Sequence, residues 1–392
     1  MGIRILIVGA SIAGLTLAHR LVADGIEPIV VERASQLRVG GNGVDLRGDA
    51  MRIAESMGIL TGARSAAADV LGIKFVDGEG REVARVSTVE PGSLEVMRGD
   101  LVHLLADVTP VEIRFGDSPE RIEQDGSGVT VSFTTGRTER FDAVFGADGM
   151  HSTVRRLAFG AEASYLRLRG HHFAFADADA QLGENRWVTM HNLPGKMVGV
   201  YRSGNHEQAK AYFIYRTPFV SSGRPDPAEH RRMLSAAFEE VSSWHTGELL
   251  ASALASDDLY VDALAQVRMR SWSNGRVALV GDAAWCGSPA SGAGAELALV
   301  GAHVLACELR RANGDLVRAF ARYEGLLRPL VSARQRISAN VRLMVPATSF
   351  GIAVRNTFAR SPLPLALARV GGAITPRERS VLEPRLLEGG AA

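Results

Sequence analysis

The chain has 392 residues, 46% of them hydrophobic and 22% charged, and a formal net charge of +1. That is enough chain for two or three packed domains, and the composition excludes a disordered or fibrous protein. The neutral balance leaves no basic footprint for nucleic acid, while glycine stands out at 42 residues, about 11% against an average of about 7%.

Ile3–Val8 is an apolar run broken by Arg4 alone, as expected of a strand buried on both faces. It is too short for a signal peptide. No other stretch reaches the roughly 18 apolar residues of a spanning helix, so a cytoplasmic protein without a membrane span is expected. Gly9-Ala10-Ser11-Ile12-Ala13-Gly14 comes next, then helical spacing through Leu15, Leu17, Leu21 and Val22, then a second strand with Glu32 at its tip. Ile73–Val86 predicts a hairpin turning at Asp77–Gly80, and Arg98–Leu105 a helix. Val111–Phe115, Val129–Phe133 and Ala143–Phe145 predict strands. From about Tyr165 to Val267, short strand candidates separated by turns predict an antiparallel sheet, with a helix over 227–241. Val277–Val280 returns to a buried strand, and Phe320–Leu343 predicts a long helix. The tail from about Pro346 carries an apolar run, Leu363–Ile374, expected to pack between domains. Cys286 and Cys307, the two cysteines, make no disulfide framework.

The glycine turn has a physical logic. Gly9 lets the chain reverse, Gly14 lets the helix close on the strand, and the small Ser11 between them permits close approach. With Ile12 and Ala13, they present a helix N-terminus to a pyrophosphate. Glu32, 18 residues beyond Gly14, stands where a carboxylate accepts hydrogen bonds from a ribose diol. The pattern predicts a dinucleotide site without choosing between NAD and FAD.

Three later motifs carry a resemblance that does choose. Ala147-Asp148-Gly149 with Ser152, Val154 and Arg155 resembles the second signature of the flavoprotein aromatic hydroxylases, the class A FAD monooxygenases. Val280-Gly281-Asp282-Ala283-Ala284, followed by Pro289 and Gly292-Ala293-Gly294, resembles their third. Arg98 in Met97-Arg98-Gly99-Asp100-Leu101 matches the arginine of their signature helix. Glu32-Arg33, Arg38 and Gly43-Val44-Asp45-Leu46 bring the chain nearest the tetracycline-inactivating and antibiotic-pathway hydroxylases.

The resemblance implies residue roles. Asp282 would bind the ribityl chain of FAD, and Arg98 its phosphate or ribityl region. Pro289 would lie against the ring, and Gly292, Ala293, Gly294 and Ala295 would present N–H groups to its pyrimidine edge. Arg33, Arg38 and Asp45 are further flavin contacts. Asp148 is either near the shared FAD and nicotinamide region or a turn residue. Trp285 stands where many relatives have His, and Glu296 where many have Asn, which leaves Trp285 as a pocket or a core aromatic. Cys286 is read as a buried thiol. No metal site and no catalytic side chain is evident.

The implied fold is α/β: a three-layer, Rossmann-like FAD domain with an inserted, mostly antiparallel substrate sheet and a C-terminal helix. Its expected divisions are residues 1–72, 96–164 and 268–345 for the FAD domain, 73–95 and 165–267 for the sheet domain, and 346–392 for the tail. The implied reaction is monooxygenation of an aromatic or enolic small molecule, such as a polyketide or tetracycline. It would use dioxygen, with NADPH or NADH as a transient co-substrate, through a flavin C4a-hydroperoxide. His191, Asn192, Phe213 and Tyr215 are candidates for the substrate wall, and the assembly is expected to be a monomer or homodimer. A flavin dehydrogenase or reductase of the same fold, or a non-catalytic drug-binding flavoprotein, are the alternatives.

Overall fold

Four apolar side chains, Ile5–Val8, form β1, and all four are buried. They hold the centre of a six-stranded sheet. β1 pairs in parallel with β2 (Ile29–Glu32) on one side and with β11 (Ala143–Gly146) on the other. β7 (Ile113–Phe115) extends the sheet beyond β2, and β18 (Val277–Leu279) beyond β11, with short β17 (Ser273–Asn274) at the edge. The fully apolar strands β1, β11 and β18 are sandwiched between layers, as parallel strands require. The structure, a computed structural model, describes residues 3–38, 40–179, 181–216, 226–287, 292–337 and 344–360. Pro289, residues 338–343 of the long predicted helix, and the Leu363–Ile374 run lie outside them.

α1 (Ile12–Ala23) runs from β1 toward β2, while the chain's other parallel partner of β1, β11, lies on the opposite side. The carboxyl end of β1 is therefore a topological switch point, where open α/β sheets bind ligands. α9 (Gly294–Ala312) packs against α1 and against α10 (Leu316–Ile337), closing one face. α4 (Arg98–Asp107) also packs on α1. β8 (Pro119–Gln124), β9 (Val129–Phe133) and β10 (Thr138–Phe141) form a small antiparallel sheet.

The second large sheet has seven strands in the order β16-β12-β15-β14-β13-β4-β5. These are β4 (Gly72–Val76), β5 (Glu82–Ser87), β12 (Leu166–Ala178), β13 (Trp187–Leu193), β14 (Lys196–Arg202), β15 (Ala209–Arg216) and β16 (Tyr260–Val267). All pairs are antiparallel except β13 with β4. That parallel joint forms because the hairpin β4–β5 comes from a distant stretch of chain and adds to the edge. α6 (Pro227–Phe238) and α7 (Thr246–Ala255) cover one face, and their core includes Phe213, Tyr215, Phe238 and Leu249. α7 and β16 lay unassigned in the sequence pattern. Asp226 caps α6 by accepting from the Glu229 N–H, with Pro227 in its first turn.

A two-stranded ladder, β3 (Gly43–Leu46) with β6 (Leu94–Met97), lies outside both sheets. The described residues also form α2 (Asp49–Ser56), α3 (Leu60–Ser65), α5 (Thr153–Phe159), α8 (Asp282–Trp285) and α11 (Ser349–Arg360). α11 packs on β5 and β13. No helix of the described residues is long and apolar enough to cross a membrane.

Candidate active site

The β1–α1 turn is built on two glycines with no room for a side chain. Gly9 has φ +109°, and a Cβ there would sit 2.6 Å from the Ala147 carbonyl oxygen. A Cβ on Gly14 would sit 1.9 Å from the Gly9 carbonyl oxygen. Ser11 is the N-cap of α1 but its side chain accepts from no N–H of the helix, and the first turn, with Ile12, Ala13 and Gly14 buried, carries no acid. The positive end of the helix is thus left for an anion from outside the helix. Glu32 pins the turn, accepting from the Ala10 N–H at one oxygen and the Ala34 N–H at the other, both at 2.9 Å. Arg33 and Arg38 are exposed on the following loop.

Arg98 opens α4 and donates to Ser11 Oγ at 3.0 Å. Burial lowers its proton affinity and the charge of Arg38 lowers it further, against Tyr260, Asp282 and Glu32. This guanidinium is therefore within electrostatic reach of groups from the glycine-turn loop, the second sheet and α8. Asp282 begins α8 directly after Gly281, which has φ +67°. Its side chain is solvent-accessible yet surrounded by protein, so burial raises its carboxyl while Arg98 pulls it down.

The second signature acts as a brace. Asp148 accepts from the N–H groups of Thr153 and Val154 and from Ser152 Oγ, and so caps α5. Its carboxylate serves the turn, the second of the two readings drawn from the sequence. Arg155 is fully buried and donates to the carbonyls of Met150 and Ala283, which ties α5 to the residue after Asp282. Trp285 is a core aromatic: its ring lies 4.5 Å from Trp272 and 5.8 Å from Tyr323. Cys286 is buried.

At the start of α9, Gly292 (φ +60°) and Gly294 are exposed while Ala293 and Ala295 are buried. Arg47, which no sequence motif singles out, donates to the Gly292 carbonyl at 3.0 Å and lies 3.4 Å from Asp45. Glu296 is buried in the first turn of α9, between Arg334 at 2.8 Å and Arg47 at 3.6 Å. Two arginines converge on it, which suits a carboxylate at this position. Burial raises the Asp45 carboxyl, with Arg47 opposing.

The register of the second sheet decides which side chains face this assembly. Phe173 stands opposite Ile214 and Asp262, and Phe175 opposite Tyr212 and Tyr260, so all six share a face. Tyr201 lies on it too, two residues from Gly199, the partner of Tyr212. Phe175 and Tyr260 stack at 5.0 Å, and Tyr212 lies 5.7 Å from Phe173 and 6.2 Å from Tyr201. Elements of the glycine-turn half meet this aromatic face. Tyr201 donates to Glu95 on β6 at 3.0 Å. His151, in the turn after Asp148, donates to Asp262 at 3.0 Å and to Glu162 at 3.1 Å. Burial opposes charge on His151, but the hydrogen bonds to Asp262 and Glu162 outweigh it and raise the imidazole to about 9. Tyr260 donates to the other Asp262 oxygen at 2.8 Å.

Three of the four substrate-wall candidates point elsewhere. Phe213 and Tyr215, offset by one residue from Tyr212 and Ile214, face the helices and pack on Phe238 at 5.1 and 5.8 Å. A one-residue offset reverses the face. His191 lies on that side as well, 2.9 Å from Ser243 Oγ and 3.2 Å from the Val76 carbonyl. Asn192 is on the aromatic side but at the strand end, where it donates to the Met344 carbonyl and accepts from Arg355. Alternation along β15 and β16 was the one sequence signal that could have found Tyr212, Tyr260 and Asp262, given knowledge of which face is covered.

The glycine cradle, the open helix end and the group Glu32, Arg98 and Asp282 suit a large, anionic, polyhydroxylated dinucleotide such as FAD. Comparison with known proteins points the same way. The family model described as FAD binding domain matches residues 3–315. A flavin-dependent monooxygenase of Legionella longbeachae serogroup 1 (strain NSW150) is 36% identical over 340 residues, covering 85% of this chain and 87% of the relative. The crystal structure of tetracycline destructase Tet(51) superposes with a TM-score of 0.80 at 36% identity, covering 92% of this chain and 96% of that one. Klebsiella pneumoniae HpxO complexed with FAD and uric acid shares the fold, with a TM-score of 0.71 at 20% identity over 96% of this chain and 97% of its own.

Proposed function

This chain belongs to the FAD-binding-domain family and is an FAD-dependent monooxygenase, and from that premise we propose that it hydroxylates a planar aromatic or enolic molecule, of the tetracycline or polyketide kind, with NAD(P)H and dioxygen. The observation that carries the reading is the aromatic face of Phe173, Phe175, Tyr201, Tyr212 and Tyr260, joined through Glu95 and His151 to the elements that carry the dinucleotide cradle. Flat rings offset-stack on such side chains and leave water out.

Bound FAD supplies hydride acceptance and oxygen transfer. Gly9 and Gly14 would let the α1 N-terminus take the pyrophosphate, and Glu32 would take a ribose diol. Arg98 and Asp282 would hold the phosphate and ribityl groups. Asp45 and the Gly292–Ala295 turn, braced by Arg47 and Glu296, would serve the flavin ring. The aromatic face holds the substrate flat and dry, which keeps activated oxygen from being lost as peroxide. The sequence contains one glycine-turn fingerprint, so the nicotinamide binds transiently.

Tetracycline incubated with the FAD-loaded protein, NADPH and heavy-isotope dioxygen tests the reading. The product should carry one labelled oxygen, with NADPH oxidation faster and peroxide yield lower than without tetracycline. A product that is only dehydrogenated, or labelled only from heavy water, would replace monooxygenation with the dehydrogenase alternative.

A further inference from the structure

Glu95 and Asp45 stand directly opposite each other in the β3–β6 ladder. Like charges in that position ordinarily weaken a ladder. Asp45 has Arg47 beside it, whereas Glu95 pairs with no lysine or arginine among the described residues. Its side chain crosses over Gly43, where a Cβ would fall 1.9 Å from Glu95 Oε1. Only glycine at 43 leaves the carboxylate this path. The Tyr201 hydroxyl donates to Glu95 Oε1 at 3.0 Å and leaves the other oxygen, Oε2, to accept a further proton donor. Tyr201 belongs to the aromatic face, and Asp45, the cross-strand neighbour of Glu95, reaches to 3.4 Å from a Cβ position on Gly292. Glu95 therefore links the face that would hold a flat substrate to the turn that opens α9.

We propose that the Glu95 carboxylate, fixed by Tyr201, is the proton acceptor for a phenolic or enolic hydroxyl of the substrate. This rests on the hydroxylase reading and names the group that readies the substrate for it. The substrate O–H bond breaks, a carboxyl O–H bond forms on Glu95, and the bonding pair stays on the substrate oxygen. Nothing is oxidised or reduced and the net charge of the site is unchanged. The electron-rich ring is then the better target for electrophilic oxygen. The groups facing Glu95 suit it to the task. Burial raises its carboxyl, the hydrogen bond from Tyr201 opposes this, and the charge of Asp45 adds to the rise. Asp45 is itself flanked by Arg47 and Glu90, and burial keeps Tyr201 and Tyr212 protonated well above the usual phenol range. A carboxylate with raised proton affinity is a better general base near neutral pH.

The test uses 4-nitrophenol, colourless when protonated and yellow as the phenolate, added at pH 6 to the FAD-loaded protein. The difference spectrum of the wild type should show bound phenolate, with no matching release of protons to a weakly buffered solution. In Glu95→Gln the same ionisation would place an uncompensated charge beside Asp45, so the bound probe should stay protonated. At least about ten-fold less phenolate is expected, the equivalent of one pKa unit. Retained FAD reports folding of the variant. Should Glu95→Gln lose FAD, Glu95→Asp carries the test, with its carboxylate drawn back by one methylene and less phenolate expected than in wild type. A colourless probe in the wild type, equal phenolate in either variant, or stoichiometric proton release by the wild type would overturn the assignment. Oxygen transfer to tetracycline is read separately. Its absence with probe ionisation intact sinks the hydroxylase reading alone, and its presence without ionisation sinks Glu95 alone.

Discussion

Replacing His151 with glutamine removes a cation from between Asp262 and Glu162 while keeping a polar side chain of similar reach. The imidazole rises from its ordinary 6.5 to about 9 in the folded protein, and its side chain is only 19% exposed, so solvent screens the pairing modestly. Each tenfold gain in proton affinity corresponds to about 1.4 kcal/mol, so the whole rise contributes about 3 kcal/mol where both folded and unfolded chains are protonated. The sign follows from the direction of the rise. The contribution is complete below about pH 6.5, falls to roughly 2.5 kcal/mol at pH 7, and vanishes as pH climbs past about 9. Urea unfolding of wild type and His151→Gln, followed by circular dichroism between pH 6 and pH 10, measures the gap directly. The gap should be about 2–3 kcal/mol at pH 6 and should close toward the alkaline end. A gap that stays constant over that range would mean that His151 acts by packing or by neutral hydrogen bonds, and the charge argument would fail. Because Asp262 lies on the aromatic face and Glu162 beside α5, the same variant should loosen the joint between the two halves of the chain.

Gly14→Ala should purify without FAD or fail to fold, since the added carbon lies 1.9 Å from the Gly9 carbonyl oxygen; a yellow, stable variant would contradict the tight-turn account. Asp282→Ala should keep the fold, because that side chain is accessible, and should weaken FAD about ten- to a hundred-fold by losing charge-assisted hydrogen bonds worth about 1.5–3 kcal/mol. Fluorescence titration of the stripped protein with FAD decides this, and unchanged affinity would remove Asp282 from the site. Phe213→Ala and Tyr212→Ala form a paired test of the sheet register. The first should cost about 3–5 kcal/mol of stability as a fully buried ring is lost from beneath α6, with the KM for tetracycline little changed. The second should raise that KM and the peroxide yield, and the reverse pattern would mean the substrate meets the other face.

The sequence carried the parts of this protein whose physics is local. A buried apolar strand, two glycines at fixed spacing and an acid at the next strand tip have few alternatives as a β-α-β turn, because each backbone requirement is met within about thirty residues. Gly9, Gly14 and Glu32 were legible for that reason, and Asp148, Ser152 and Arg155 stood out by their spacing, with a turn role for Asp148 among the readings and the tie from Arg155 to Ala283 not. The signature motifs also fall on the turns that open α8 and α9.

What the chain order left open was settled by contacts between distant segments. β15 is apolar on both sides, Tyr212 and Ile214 toward one and Phe213 and Tyr215 toward the other. Alternation alone gives two faces without saying which one α6 and α7 will cover, and the candidates fell on the covered one. The parallel joint of β13 with β4 spans more than a hundred residues, and its register has no local trace. Arg47 meets Gly292, Tyr201 meets Glu95 and His151 meets Asp262 across long stretches of chain, and each alone reads as an ordinary residue. Local geometry and steric exclusion fixed the cradle from sequence. Partnering of charges, and the choice of buried face, belong to the tertiary structure, because burial is a property of what packs on a surface and not of the segment that presents it.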